Sequence, residues 1–284
     1  MARLVKSKEN VFRQMKKLIY ALTVIVSSAI LFSCGSGEKS EQSTDKTVEA
    51  LEAFVEEEFE YPIPTSYEVT NMLQKAKANF VFDITNSPEN LVNYETEWQK
   101  AMNLGVYGAD LSYASTYNRQ EEIAQFLDVS RKLIEDLNIS TAFNKGMVDR
   151  LERNVENKDS LILIVTESFY ETYNYLNING EEKTSLLVIA GSVIEGLHIT
   201  SQLIISSDYN DELMKVLANQ KSQVKKLVEL MDAHADDENV NRVLPKLRYI
   251  DLFFDQLGES SDVSKAQFND VYESIQEMRS TVVG

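Results

Sequence analysis

A carboxylate and an imidazole stand close together in the most apolar part of the sequence. Glu195 and His198 lie within LLVIAGSVIEGLHI, residues 186 to 199. Side chains three residues apart share one face of a helix. Such a pair could bind a single metal ion together with acids from another helix, or it could be buried for structural hydrogen bonding. Both interpretations stay open, with Glu195 and His198 as the candidate metal ligands.

A di-metal carboxylate centre is excluded, although Glu-x-x-His on a buried helix is the arrangement that such centres use. They need two of these motifs and two further glutamates. The chain has only two histidines, and Met231 stands three residues before His234. The second motif is therefore missing.

A second candidate site lies in NLGVYGADLSYASTY, residues 103 to 117. Asp110 is surrounded there by Tyr107, Tyr113 and Tyr117 at helical spacing. An acid among tyrosine hydroxyls could orient a small ligand. The alternative is a buried hydrogen-bond network that joins packed helices.

Both candidate segments contain glycines, which weaken a helix but allow close packing. These glycines are Gly105, Gly108, Gly191 and Gly196. We therefore expect the two helices to face each other, and Asp110, Glu195 and His198 to share one interior site.

The elements that must position these residues are predicted to be helical. Apolar residues recur at spacings of three and four almost throughout. Predicted helices cover about 46–60, 66–79, 88–117, 119–137, 141–156, 159–178, 182–206, 209–234, 238–257 and 262–281. Asn138, the run from Asn177 to Gly180, and Gly258 are predicted joints. The fold class is all-α: one large antiparallel helical bundle, or two packed bundles, over residues 46–284.

The N-terminal part of the chain has the pattern of an export signal. Lys16 and Lys17 precede the uncharged run LIYALTVIVSSAILF, residues 18 to 32, which is too short for a typical membrane span. The only cysteine, Cys34, follows directly in LFSCGSG. We therefore predict a signal peptide over residues 1–33, and Met15 offers an alternative start for a more compact signal.

The sequence around Cys34 resembles the lipobox of bacterial lipoproteins. The resemblance implies cleavage before Cys34 and a diacylglycerol on its thiol, a covalent lipid that holds the protein on a membrane. With its glycine-bearing helices, the chain also resembles helical lipoproteins of Bacteroidetes-type bacteria, which implies a place in the cell envelope. We expect the outer membrane, with the domain in the periplasm or at the cell surface. Asp159-Ser160-Leu161 is similar to the short O-glycosylation site of such exported proteins, with Ser160 as acceptor.

Charge and composition narrow the expected partners. The chain has 28 basic and 45 acidic residues. Residues 1–33 contain six of the basic residues and one of the acidic residues. The predicted mature chain therefore keeps 22 basic and 44 acidic residues, a net charge of about −22. Such a surface repels nucleic acid and anionic lipid headgroups, so we expect no nucleic-acid partner. Residues 35–45, GSGEKSEQSTD, contain no apolar side chain and are predicted to be a flexible linker of ~18 Å.

No familiar catalytic motif occurs: HExxH, G-x-S-x-G and the P-loop are all missing. We therefore predict a non-enzymatic domain that binds or scaffolds other envelope proteins, without a non-covalent cofactor. The alternative is a small-molecule or metal-binding module at Asp110, Glu195 and His198.

Overall fold

The described part of the chain is all-α, as predicted. The computed structural model describes residues 66–139, 150, 153–154, 157–257 and 263–284, and no strand occurs among them. Their helices are α1 Ser66–Lys75, a 3-10 helix Pro88–Asn93, α2 Glu97–Thr116, α3 Gln120–Asp136, α4 Lys158–Ile178, α5 Glu182–Ser206, α6 Asp211–Asn219, α7 Lys221–Asp232, α8 Glu238–Asn241, α9 Leu244–Gln256 and α10 Lys265–Val283. All of them belong to one compact unit of the chain.

Several predictions fall outside the described residues. They concern the signal peptide, Cys34, the linker, the helix over 46–60, most of the helix over 141–156 and the joint at Gly258. These stay predictions.

Several helices end in the same way, with one residue in the left-handed conformation. This residue is Lys77, Asn118, Asn138, Gly180 or Asp208, with φ between 53° and 80°. In each case the next N–H donates to the carbonyl five residues earlier, which satisfies a carbonyl at the helix end. The predicted joints at Asn138 and Gly180 are thus confirmed, and α1 ends at Lys75 rather than near 79.

Three predicted helices are each divided in two. The predicted helix over 88–117 becomes the 3-10 helix and α2, because Thr96 and Gln99 form a reciprocal capping box that starts a new helix. The helix over 209–234 divides at Gln220, whose side-chain amide donates to Thr200 Oγ1 at 2.9 Å. The helix over 238–257 divides before α9, whose first turn contains Pro245.

The α2 and α5 helices form the centre of the domain and make the most extensive contact of any helix pair among the described residues. They point in the same direction, because Thr184 at the start of α5 lies 3.4 Å from Glu97 at the start of α2, and Asp110 meets Glu195 further along both helices. The α10 helix runs antiparallel to α5, since Arg279 contacts Glu195 and Gln276 contacts Gln202.

The α5 helix is apolar enough to cross a membrane by length and composition, with a mean hydropathy of 1.5 in its most apolar window. In the fold it is a core helix, because 83% of that window is buried against other helices. Its apolar circumference is therefore explained by neighbours on all sides.

Candidate functional site

Glycines set the distance between the two central helices. A β-carbon added at Gly105 would come 1.9 Å from the carbonyl oxygen of Val188, and one at Gly191 would come 1.9 Å from that of Met102. Both positions therefore need glycine, as the sequence predicted. Gly108 instead accommodates the ring of Phe169, 2.0 Å from such a β-carbon. Gly196 has no such constraint, because the nearest atom is 3.8 Å away.

The predicted meeting of Asp110 and Glu195 is observed, and a third group completes it. Both carboxyl groups are fully buried. Arg279 on α10 donates from Nε to Glu195 Oε2 at 2.9 Å and from Nη2 to Glu195 Oε1 at 3.0 Å. This is the two-pronged geometry in which guanidinium binds carboxylate most strongly. Sequence reasoning missed Arg279, although its spacing from Ile275 and Val282 places it on the apolar face of α10.

Asp110 makes different contacts from Glu195. Its Oδ2 accepts the backbone N–H of Asn86 at 3.0 Å, while its Oδ1 accepts no N–H or O–H from the described residues. Burial raises the pKa of Asp110 well above its usual range, and the negative charge of Glu195 raises it further, against the opposing effects of Asn86 and Arg279. We interpret Asp110 as protonated, with its O–H donating to the Glu195 carboxylate.

His198 is buried next to this cluster and is held by the backbone. Its Nε2–H donates to the carbonyl of Ile84 at 3.0 Å, while Nδ1 makes no regular hydrogen bond among the described residues, although the side-chain amide of Gln276 lies close to the ring. Burial lowers the pKa of His198 below its usual value, although the nearby Glu195 opposes this effect. A neutral ring with the proton on Nε2 satisfies both observations.

The three tyrosines also bind the backbone. Tyr107 donates to the carbonyl of Ser87 at 2.7 Å, Tyr117 donates to that of Ala78 at 2.8 Å, and Tyr113 accepts the N–H of Val81 at 2.9 Å. Burial raises the pKa of all three phenols, to about 12 for Tyr117. They are therefore neutral hydrogen-bonding groups over the ordinary pH range.

These bonds converge on one irregular stretch of chain, residues 76–87, which we call the clamped segment. The segment connects α1 to the 3-10 helix without regular backbone pairing of its own. Five of its backbone groups, at Ala78, Val81, Ile84, Asn86 and Ser87, instead bond to side chains of α2, of α5 and of Tyr117, which directly follows α2. Buried backbone groups need such partners, because leaving them unpaired costs free energy.

Amide side chains extend the network, and sequence reasoning missed them. Asn86 donates from Nδ2 to the hydroxyl of Tyr94 at 2.8 Å and to Oδ1 of Asn103 at 3.3 Å. Asn103 in turn donates to the carbonyl of Val282 at 2.9 Å. The clamped segment, α2 and the end of α10 are thus joined through one buried polar network. Only the position of Asn103 within a predicted core helix could have indicated this.

The arrangement gives no preformed metal centre among the described residues. No group of three or more His, Cys, Asp or Glu side chains is placed to hold a metal ion there. Both oxygens of Glu195 already accept bonds from Arg279. Ser160, the predicted glycosylation acceptor, lies partly buried in the first turn of α4, where its N–H donates to Asn157 Oδ1 at 3.1 Å.

Comparison with family models, curated proteins and solved structures finds no match.

Proposed function

We propose that the protein is a lipid-anchored lipoprotein of the bacterial cell envelope, whose helical domain is a non-enzymatic module that binds or scaffolds other envelope proteins. The observation that carries the second half of this proposal is the use of the buried polar groups. Asp110, His198 and the three tyrosines each form a hydrogen bond with a backbone group of the clamped segment. Such groups fix a fold, whereas a ligand site needs polar groups that point into free space.

The anchor half of the proposal rests on the N-terminal sequence. A basic pair, a short apolar run and Cys34 follow one another as in lipoprotein signals. The acidic mature chain would be repelled by anionic headgroups, so the acyl chains would supply the membrane affinity.

Metabolic labelling tests the anchor. Bacteria expressing the full chain should incorporate radiolabelled palmitate into it, and mass spectrometry should find a mature N-terminus at an acylated Cys34. The Cys34→Ser variant should take up no label. A wild-type protein that stays unlabelled, or that retains its leader, would overturn the lipoprotein proposal.

A second candidate function is binding of a small molecule or metal in the interior. It is favoured by His198 Nδ1, a buried atom that makes no regular hydrogen bond among the described residues. Elemental analysis and native mass spectrometry of the purified full chain would detect a bound species. Its loss in both Glu195→Gln and His198→Ala would support this candidate, and a wild type without any bound species would eliminate it.

A further inference from the structure

A groove of about 460 Å³ lies between α9 and α10, away from the buried cluster. Its lining residues are Tyr249, Leu252, Phe253, Gln256, Leu257, Gln267, Asn269, Asp270 and Glu273. The volume falls in the range of clefts that bind small molecules, from ~300 to ~1,000 Å³. The two walls of the groove differ in chemistry.

The α9 wall is apolar and open to solvent. Tyr249 is 52% exposed and Leu252 is 60% exposed, while Phe253 is buried between them and the core. Exposed apolar side chains that cluster in a concave surface indicate an interaction site more often than scattered ones do.

The α10 wall is acidic. Asp270 and Glu273 lie one helical turn apart and are exposed. Neither carboxylate has an ion-pair partner within the described ranges. The nearby cations of α9 are engaged elsewhere: Lys246 pairs with Glu277 at 2.9 Å, and Arg248 pairs with Asp232 at 2.7 Å. Among the residues that the structure describes, no basic side chain lines the groove.

We propose that this groove docks a segment of a partner protein that carries large apolar side chains next to lysine or arginine. The apolar residues of that segment would cover Tyr249 and Leu252, and its cations would face Asp270 and Glu273. Charge complementarity selects this occupant, because a second copy of this acidic chain would bring like charges together. The inference rests on the proposed binding function and names the chemistry of the partner.

The test uses the lipidated full chain in phosphatidylcholine nanodiscs, with empty nanodiscs as the blank. The probe is a short fluorescein-labelled peptide of leucine and lysine, followed by fluorescence anisotropy. Wild type should bind it in a salt-sensitive manner. Asp270→Asn with Glu273→Gln should weaken binding by roughly two- to thirtyfold, since two exposed charge pairs are lost. Leu252→Ser should weaken it as well.

Matched controls separate the groove from general surface charge. Glu121→Gln with Glu135→Gln removes the same charge from exposed positions of α3, and Val92→Ser replaces another exposed aliphatic residue. Both controls should bind like wild type. Failure of wild type to bind, equal binding of a leucine and glutamate peptide, or equal weakening by the controls would each overturn the proposal. Self-association that is lost in Leu252→Ser would instead identify a second copy as the occupant.

The two proposals fail separately. Palmitate labelling with no peptide binding would remove the docking groove and keep the lipoprotein. An unlabelled protein can be tested in the same nanodiscs through its retained apolar leader, and peptide binding there would keep the groove and remove the lipid anchor.

Discussion

The interior of the domain contains two carboxyl groups and one cation, those of Glu195, Asp110 and Arg279. Burying a charged group costs several kcal/mol of desolvation free energy unless it is paired. The arrangement is balanced if one carboxyl keeps its proton, because the remaining carboxylate then neutralises the guanidinium. Burial and the neighbouring Glu195 both raise the pKa of Asp110, which makes Asp110 the protonated member.

Two substitutions that each remove one carboxyl group should therefore differ in cost. Glu195→Gln leaves the guanidinium of Arg279, whose side chain is only 17% exposed, without its counter-charge. We expect a loss of about 3 kcal/mol in the free energy of unfolding. Asp110→Asn keeps an acceptor for the N–H of Asn86 and a donor toward Glu195, so it should change stability by less than about 1 kcal/mol. Urea titrations monitored by circular dichroism compare the two, and equal costs would show that Asp110 is ionised.

The proton on Asp110 also predicts a pH dependence. A carboxyl whose pKa is raised by folding binds more protons in the folded state than in the unfolded state. Its contribution is thus fully present below the unfolded pKa of ~3.9 and is lost as pH rises through the folded pKa. The free energy of unfolding of wild type minus that of Asp110→Asn should fall with increasing pH above about 4.

Urea titrations at a series of pH values measure this difference. The subtraction cancels most of the contributions that other titrating groups make to both proteins. One such group is His198, whose lowered pKa acts in the opposite sense: its contribution is present above the unfolded pKa of ~6.5 and is lost as pH falls through the folded pKa. A difference that does not vary with pH would contradict a protonated Asp110.

At the scale of elements, the close contact of α2 with α5 depends on two glycines, Gly105 and Gly191, which have no side chain to separate the helices. Gly191→Ala places a methyl group against the carbonyl of Met102, which forces the helices apart, and we expect a loss of about 1–3 kcal/mol in the free energy of unfolding. Gly196→Ala, one turn further along α5, meets nothing closer than 3.8 Å and should stabilise the helix by up to ~1 kcal/mol.

Thermal unfolding of the two variants makes this comparison within one helix. Opposite shifts of Tm are expected, and a stabilised Gly191→Ala would show that the helices can separate without cost.

The helical pattern of the sequence predicted the bounds of α4 and α5 closely, because a long apolar periodicity has few alternatives. It did not separate α2 from the 3-10 helix. There the capping pair Thr96 and Gln99 supplied a local signal, which the apolar residues on both sides obscured. The hydrogen bonds of this capping box start a new helix at Glu97, although the apolar periodicity continues across the break.

At the scale of the whole molecule, the domain is an acidic helical unit whose proposed anchor is lipid. The predicted net charge of the mature chain, about −22, would keep it away from anionic headgroups, and the predicted linker would span ~18 Å between the domain and the bilayer. The proposed groove would then be a surface on which negative charge assists binding, because Asp270 and Glu273 line its α10 wall.

Residue types and spacing were enough to predict the helical class, the need for glycine at Gly105 and Gly191, and the approach of Asp110 to Glu195. The helical class follows from the apolar periodicity, which is visible within each helix. The approach of the two acids follows from the cost of burying a charged group without a polar partner. The partners of the buried groups came from distant parts of the chain: Arg279 lies 84 residues beyond Glu195, and Ile84 lies 114 residues before His198. Such pairings depend on which elements pack together. The glycines of α2 and α5 indicated that these two helices meet, but no local pattern indicated that α10 and the clamped segment would pack against them.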